Sequence, residues 1–246
     1  YLGLTPNDRL DCGAVWYGVD PPRRNWEGSQ GPLTIAEALM RSCNPVFYEI
    51  ALRLYNQFDD ALAAMARQFG FGAPTGTVGV VDEAGLVPDA AWKRRTTGQP
   101  WYPGDEVNLG IGQGDLLITP LQLANAYSTF VTGQLRTPRL LQEAEATVRG
   151  TLPLTPEQHA HLMRGLELVI GPRGTAAAAF ALAGYTDFAG KSGTAEDANA
   201  QAHVLFVAMS PAKQPRAIAA VVLDDGKSGS IEAGPIARDI VLAALR

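Results

Sequence analysis

Apolar positions follow two periods along this chain. As far as Ile170 they recur at helical spacing, and beyond Tyr185 they run continuously over strand length. Thr34 and Glu37 form a capping box ahead of "IAEALM", which predicts a helix. Pro45 disfavours a helical Asn44 yet suits the first position of a new helix, "PVFYEIALRLY". Ser42-Cys43-Asn44 therefore falls at a junction between two helices. "DDALAAMARQFG" predicts a third helix, with acids at its start and Gly70 as its stop. Residues 70–118 read mostly as loop. Thr119-Pro120 opens a helix through Phe130, closed near Gly133, and Thr155-Pro156 opens another that ends near Gly171.

"HVLFVAM" and "AIAAVVL", separated by "SPAKQP", predict a hairpin of strands buried on both faces. "YTDFAGKSGTA" is a third candidate strand, "TAAAAFALA" is merely Ala-rich, and Pro235 opens a last helix. Residues 1–33, rich in Gly, Pro, Asp and Arg, read as loop with short extended pieces. The layout is α+β: a loop-rich segment (1–33), a mainly helical part (34–170), and a sheet with its closing helix (171–246).

Composition narrows the function. With 246 residues, 46% hydrophobic and 18% charged, the chain can bury a substantial core. A net charge of -5 and the lack of any basic run argue against nucleic acid as a partner. No apolar run reaches the ~18 residues of a membrane span. The start has no signal-peptide pattern and reads as the interior of a larger protein. Cys12 and Cys43 leave a reduced pair and a disulfide equally open.

Several chemistries can be set aside. "GKS" at Gly190–Ser192 lacks the phosphate-loop glycine, because Tyr185 stands at that position. "GIGQG" at Gly110–Gly114 has neither the spacing nor the context of a dinucleotide site and reads as a structural turn. His159 and His161 lie two apart on a predicted helix, so they point to different faces. What remains is Lys191-Ser192-Gly193-Thr194 on a predicted strand, with Ser42-x-Asn44 far upstream. These resemble the second and third signatures of the penicillin-recognising serine enzymes, whose set is S-x-x-K, S-D-N and K-T-G.

"EALMRSCNPVFYEIA", "FGFGAPTG", "PWYPGDEVNLGIGQGDLLITPLQLANAYSTF" and "AGKSGTAE" extend the resemblance over nearly the whole chain. Their order and spacing are similar to class B penicillin-binding proteins of the rod-shape elongation type (penicillin-binding protein 2). The resemblance implies the serine β-lactamase/transpeptidase-like fold: an antiparallel sheet packed by helices, plus a helical subdomain. It implies peptidoglycan D,D-transpeptidation, with stem peptides ending in D-Ala-D-Ala as substrate and β-lactams as mimics, and no cofactor. By the same resemblance Ser42, Asn44, Lys191 and Thr194 are catalytic, while Ser192, Gly193 and Thr194 bind substrate. Lys191 would supply charge and a proton relay, and Gly193 room for the substrate backbone. Partners would be a glycosyltransferase and other elongation proteins. The location would be extracytoplasmic, with the intact protein anchored by an N-terminal membrane helix.

The chain departs from the family in two ways. Its one S-x-x-K match, Ser210-Pro-Ala-Lys213, falls in the predicted hairpin turn. The resemblance instead puts the nucleophile helix and the first strands ahead of Tyr1, so residues 1–246 alone are expected to be inactive. Some relatives also hold a metal in the loop before Thr34, using Cys, Asp and His. Here Asp11, Cys12 and Cys43 are kept, but Asn25 and Gln30 stand where a ligand would be, so no metal is expected. The resemblance still implies that Cys12 and Cys43 lie close, and an oxidising compartment would then favour a disulfide. The rival readings are a β-lactamase of the same fold and a non-catalytic scaffold module.

Overall fold

A computed structural model describes residues 2–196 and 202–246. The chain forms two compact units. One contains residues 47–154 with two short pieces from the first 23 residues, and the other contains Leu4–Trp16, Arg24–Val46 and Thr155–Arg246. The boundaries at 33/34 and 170/171 read from the sequence do not coincide with this division. The helices before Val46 and after Leu154 belong with the strands, because each has an apolar face that the sheet or its partner helix covers.

The chain starts with β1 (Leu10–Cys12), the two-residue strands β2 (Val15–Trp16) and β3 (Arg23–Arg24), and β4 (Gly31–Leu33), which pairs antiparallel with β1. Helix α1 (Ile35–Arg41) has the expected capping box. Thr34 Oγ1 accepts from Glu37 N–H, and the Glu37 carboxylate accepts from Thr34 N–H at 2.9 Å. Helix α2 (Asn44–Gln57) begins one residue earlier than its proline suggested.

The unit that contains residues 47–154 takes over within α2. It carries α3 (Ala61–Gln68), α4 (Ala90–Thr97), α5 (Pro103–Leu109), α6 (Pro120–Thr132) and the pair β5 (Gln134–Arg136) and β6 (Val148–Thr151). Helices α4 and α5 lie in the stretch read as loop. Helix α4 buries none of its residues, so no apolar period marks it, and it forms on an Asp89 cap and a Gly98 stop. "GIGQG" is the structural turn expected: Gly112 and Gly114 take positive φ, and Gln113 N–H donates to Asn108 O at 2.9 Å. Ala63, Val87 and Leu109 form a core here, packed by Phe71, Trp101 and Leu116.

The strand-bearing unit resumes with α7 (Pro156–Ile170), whose capping box is Thr155 with Gln158. Two 3-10 turns, Ala177–Ala179 and Ala181–Ala183, follow in the Ala-rich run. The sheet is β7 (Ala189–Glu196), β8 (Ala202–Ser210) and β9 (Ala217–Leu223), antiparallel in the order β7-β8-β9. Strand β7 starts later than the candidate segment because Asp187 is engaged elsewhere: its carbonyl accepts from Ser210 Oγ and its carboxylate from Ala212 N–H. Val204, Phe206, Val207, Ala208 and Met209 are all buried, so β8 is covered on both faces, as its unbroken apolar run implied. A π-helical turn, Gly229–Ala233, leads into α8 (Gly234–Ala244), which packs across β8 and β9. Phe180 lies at the centre of the core, 5.3 Å from both Phe188 and Phe206, among Val169, Val221 and Val241.

Candidate active site

Lys191 projects from β7 to the end of α1, where its Nζ donates to Ser42 Oγ at 2.9 Å across 149 residues of sequence. The same amine donates to the Ser192 carbonyl at 2.6 Å. Burial pushes Lys191 down from the ordinary 10.5 to about 8. Near neutrality its amine is therefore poised to exchange a proton with a neighbouring hydroxyl.

Ser42 caps α1 in a left-handed conformation, φ 53 and ψ 44. This ends the helix and turns the chain into α2. Cys43 follows, fully buried and disulfide-bonded to Cys12 with Cα atoms 6.2 Å apart. Two of the residues considered for a metal are thus committed to each other. Asn25 Nδ2 donates to Cys12 Sγ and to Gly28 O, while Gln30 Oε1 accepts from Arg41.

Above this pair opens a groove of about 630 Å³. Ser42 and Asn44 line one side, Ser192, Gly193 and Thr194 another, and Lys227–Ile231 a third. The residues singled out from the sequence converge here: Ser42, Asn44, Ser192, Gly193 and Thr194 line the groove, and Lys191 reaches its floor through Ser42. Arg41 and Lys227 add positive charge, and Glu27, the acid among the lining residues, is paired with Arg41 at 2.7 Å. A cationic groove edged with hydroxyls suits a carboxylate.

The structure adds residues that sequence reasoning missed. Thr175 Oγ1 lies 3.4 Å from Ser192 Oγ, and Thr175 N–H donates to Met40 O. Trp26 donates from Nε1 to the Ser42 carbonyl at 3.0 Å. Both sit in loops whose only sequence signal is composition. A Cβ on Gly193 would lie 2.6 Å from Leu205 Cδ1, so a side chain there would push the Leu205 side chain aside. Ser210 is different: it is 5% exposed, and its hydroxyl is spent on the Asp187 carbonyl at 2.6 Å. A larger cavity, about 1030 Å³, opens beside Gly171, Phe188 and Pro211. None of the groove's hydroxyls lines it, so chemistry rather than size assigns the site.

A serine and a partly desolvated lysine under a cationic, hydroxyl-edged groove, on an antiparallel sheet flanked by helices, fit the constellation of a serine acyl-transfer fold. The chain belongs to the penicillin binding protein transpeptidase domain family, whose model matches residues 3–242. Among its relatives is the peptidoglycan D,D-transpeptidase MrdA of Haemophilus influenzae, 31% identical over 97% of this chain and 41% of that protein. Penicillin-binding protein 2 of Pseudomonas aeruginosa, solved in complex with WCK 5153, superposes with a TM-score of 0.83 at 33% identity, over 98% of this chain and 56% of its own. That of Helicobacter pylori gives 0.85 at 26% identity, over 96% and 44%. The chain thus spans about two-fifths of the length of the curated relatives it matches.

Proposed function

We propose that this chain carries the substrate seat of a peptidoglycan D,D-transpeptidase. The observation behind the reading is the Lys191–Ser42 bond beneath a groove edged by Ser192 and Thr194. In the reaction a serine hydroxyl attacks the carbonyl between two D-alanines and gives its proton to a neighbouring amine. The terminal D-alanine leaves as the free amino acid, taking a proton onto its nitrogen. An amine of a second stem then displaces the serine and forms the cross-link. Lys191, with Ser42, passes protons toward the leaving amine. The hydroxyls of Ser192 and Thr194 and the nearby cationic side chains hold the terminal carboxylate. Asn44 holds a substrate amide, and Thr194 N–H is one oxyanion donor.

The nucleophile is assigned to an S-x-x-K motif outside residues 1–246. Ser42 has the Lys191 amine but no lysine one helical turn away, and Ser210 is buried and bonded. A β-lactam enters the same seat as a D-Ala-D-Ala mimic. The disulfide suits an extracytoplasmic setting. No described helix is long and apolar enough to cross a membrane, and an anchor is assigned to the longer protein. A Helicobacter pylori relative was solved with MreC, and another similar structure belongs to a peptidoglycan synthase complex. We extend such elongation partners to this chain.

Labelling with a fluorescent penicillin tests the reading. A longer chain that includes S-x-x-K should form a stable adduct, and residues 1–246 alone should not. Rapid turnover of the penicillin would favour the β-lactamase rival, and no reaction by the longer chain would favour the scaffold rival. Stable labelling of residues 1–246 would show the nucleophile to be misassigned.

A further inference from the structure

Among the described residues that line the groove, Ser42 is the one non-glycine with positive φ. Serine has no intrinsic preference for that geometry, so its surroundings must hold it there. Three tethers act on the backbone, the first being the Ser42 N–H, which donates to Leu39 O at 3.2 Å. Cys43, the next residue, is fixed by its disulfide and by donating its N–H to Ala38 O at 2.9 Å. The Ser42 carbonyl accepts the Trp26 indole N–H at 3.0 Å.

Trp26 is 59% exposed, so core burial does not fix its ring. Its loop is what is pinned. Asn25 N–H donates to Ala14 O, and Asn25 Nδ2 donates to Gly28 O at 2.6 Å. Gln30 N–H donates to Cys12 O, beside the disulfide. Glu27 and Gln30 both accept from the Arg41 guanidinium, at the end of the helix that Ser42 caps. The loop is therefore fixed at one end to Ala14 and at the other to Cys12 and to Arg41 of the helix that Ser42 caps, and the indole N–H points back at that serine's carbonyl.

We propose that Trp26 is a positioning residue for this site: its indole N–H holds the Ser42 peptide in the left-handed geometry that puts Oγ on the Lys191 amine. The role rests on the transpeptidase reading of the groove. Without the N–H donor, the Ser42 peptide turns toward ordinary backbone angles and Oγ swings off Lys191. The amine then keeps only the Ser192 carbonyl. The proton relay is broken, while the ring still walls the groove.

The test uses Trp26→Phe, which keeps an aromatic wall and removes the donor. NMR of residues 1–246 follows the Ser42 backbone shifts and the contact between Lys191 and Ser42. Both should change in the variant, with the disulfide intact. In a longer chain with S-x-x-K, the first-order acylation constant for penicillin should fall about tenfold, with the non-covalent dissociation constant unchanged. Unchanged Ser42 shifts and an unchanged acylation constant would overturn the proposal, as would a loss confined to binding. If Trp26→Phe does not fold, benzothienylalanine at position 26 replaces only the N–H with sulfur and is read in the same way. The two failures are separable. A wild-type longer chain that no penicillin acylates would sink the transpeptidase reading, and the NMR arm would still decide the role of Trp26.

Discussion

Replacing Lys191 with methionine should change stability in a pH-dependent way that the structure fixes. Methionine has a similar length and no charge. In the folded chain the amine titrates near 8, against 10.5 for an ordinary lysine. The unfolded chain thus holds a proton that the folded chain has lost between those values. Stability of the wild type rises with pH across that window, and the penalty of the buried charge is fully present below pH 8. A drop from 10.5 to about 8 corresponds to roughly 3 kcal/mol, an upper figure for a side chain that is not wholly sealed from water. Against it stand two lost hydrogen bonds, to Ser42 Oγ and Ser192 O, worth about 1 kcal/mol each. Lys191→Met should therefore match or slightly exceed the wild type at pH 7 and fall about 2 kcal/mol below it at pH 10.5. Urea unfolding of both proteins at a series of pH values measures the difference, and other titrations cancel in it. A difference that stays constant from pH 7 to 10.5 would refute the assignment of a desolvated amine.

Further outcomes follow from the same geometry. Replacing Cys12 and Cys43 with serine opens a loop of sequence separation 31 and should cost about 3–4 kcal/mol in urea unfolding, with reducing agent giving a similar loss in the wild type. Gly229→Ala would put a Cβ 2.4 Å from the Leu205 carbonyl and 2.6 Å from that of Gly193. Backbone atoms there cannot yield as a side chain can, so a loss of about 1–3 kcal/mol is expected in thermal or urea unfolding. Glu106 is buried, and burial raises its pKa even though Trp101 Nε1 donates to it at 2.7 Å. The wild type should lose stability as pH climbs from the ordinary glutamate value through the raised one. Glu106→Gln should be flatter over that range, and parallel curves would count against the shift.

The elements that could be read in the sequence are those whose signals are local. The Thr34 capping box and the Thr-Pro pairs at Thr119 and Thr155 marked three helix starts within a residue. The continuous apolar runs marked the β8–β9 hairpin; β8 is covered on both faces and needs no alternation, whereas β9 buries Ala219 and Val221 and leaves Val222 exposed. Helix α4 was not legible, since its stability comes from caps rather than from an apolar face. In the site, Ser42, Asn44 and the Lys191–Thr194 run were found because they match a known triplet pattern. Trp26 and Thr175 match none: one meets Ser42 through a single indole N–H, and the other brings a hydroxyl beside Ser192. Such contacts depend on where loops come to rest, which residue spacing does not encode.

The bond between Ser42 and Lys191 also sets an order of events during synthesis. The unit that holds both is discontinuous, with residues 47–154 assigned to the other unit. A ribosome that has released Ser42 must add 149 more residues before the amine that meets it exists. The strand that carries that amine has β8 as its partner, so the groove cannot close until the last third of the chain has emerged. Until α7 has emerged, α1 waits with its apolar side uncovered, the kind of transient exposure that favours aggregation. Contacts of such long sequence separation form slowly, so this protein should complete the groove around Ser42 and Lys191 as one of the final acts of folding.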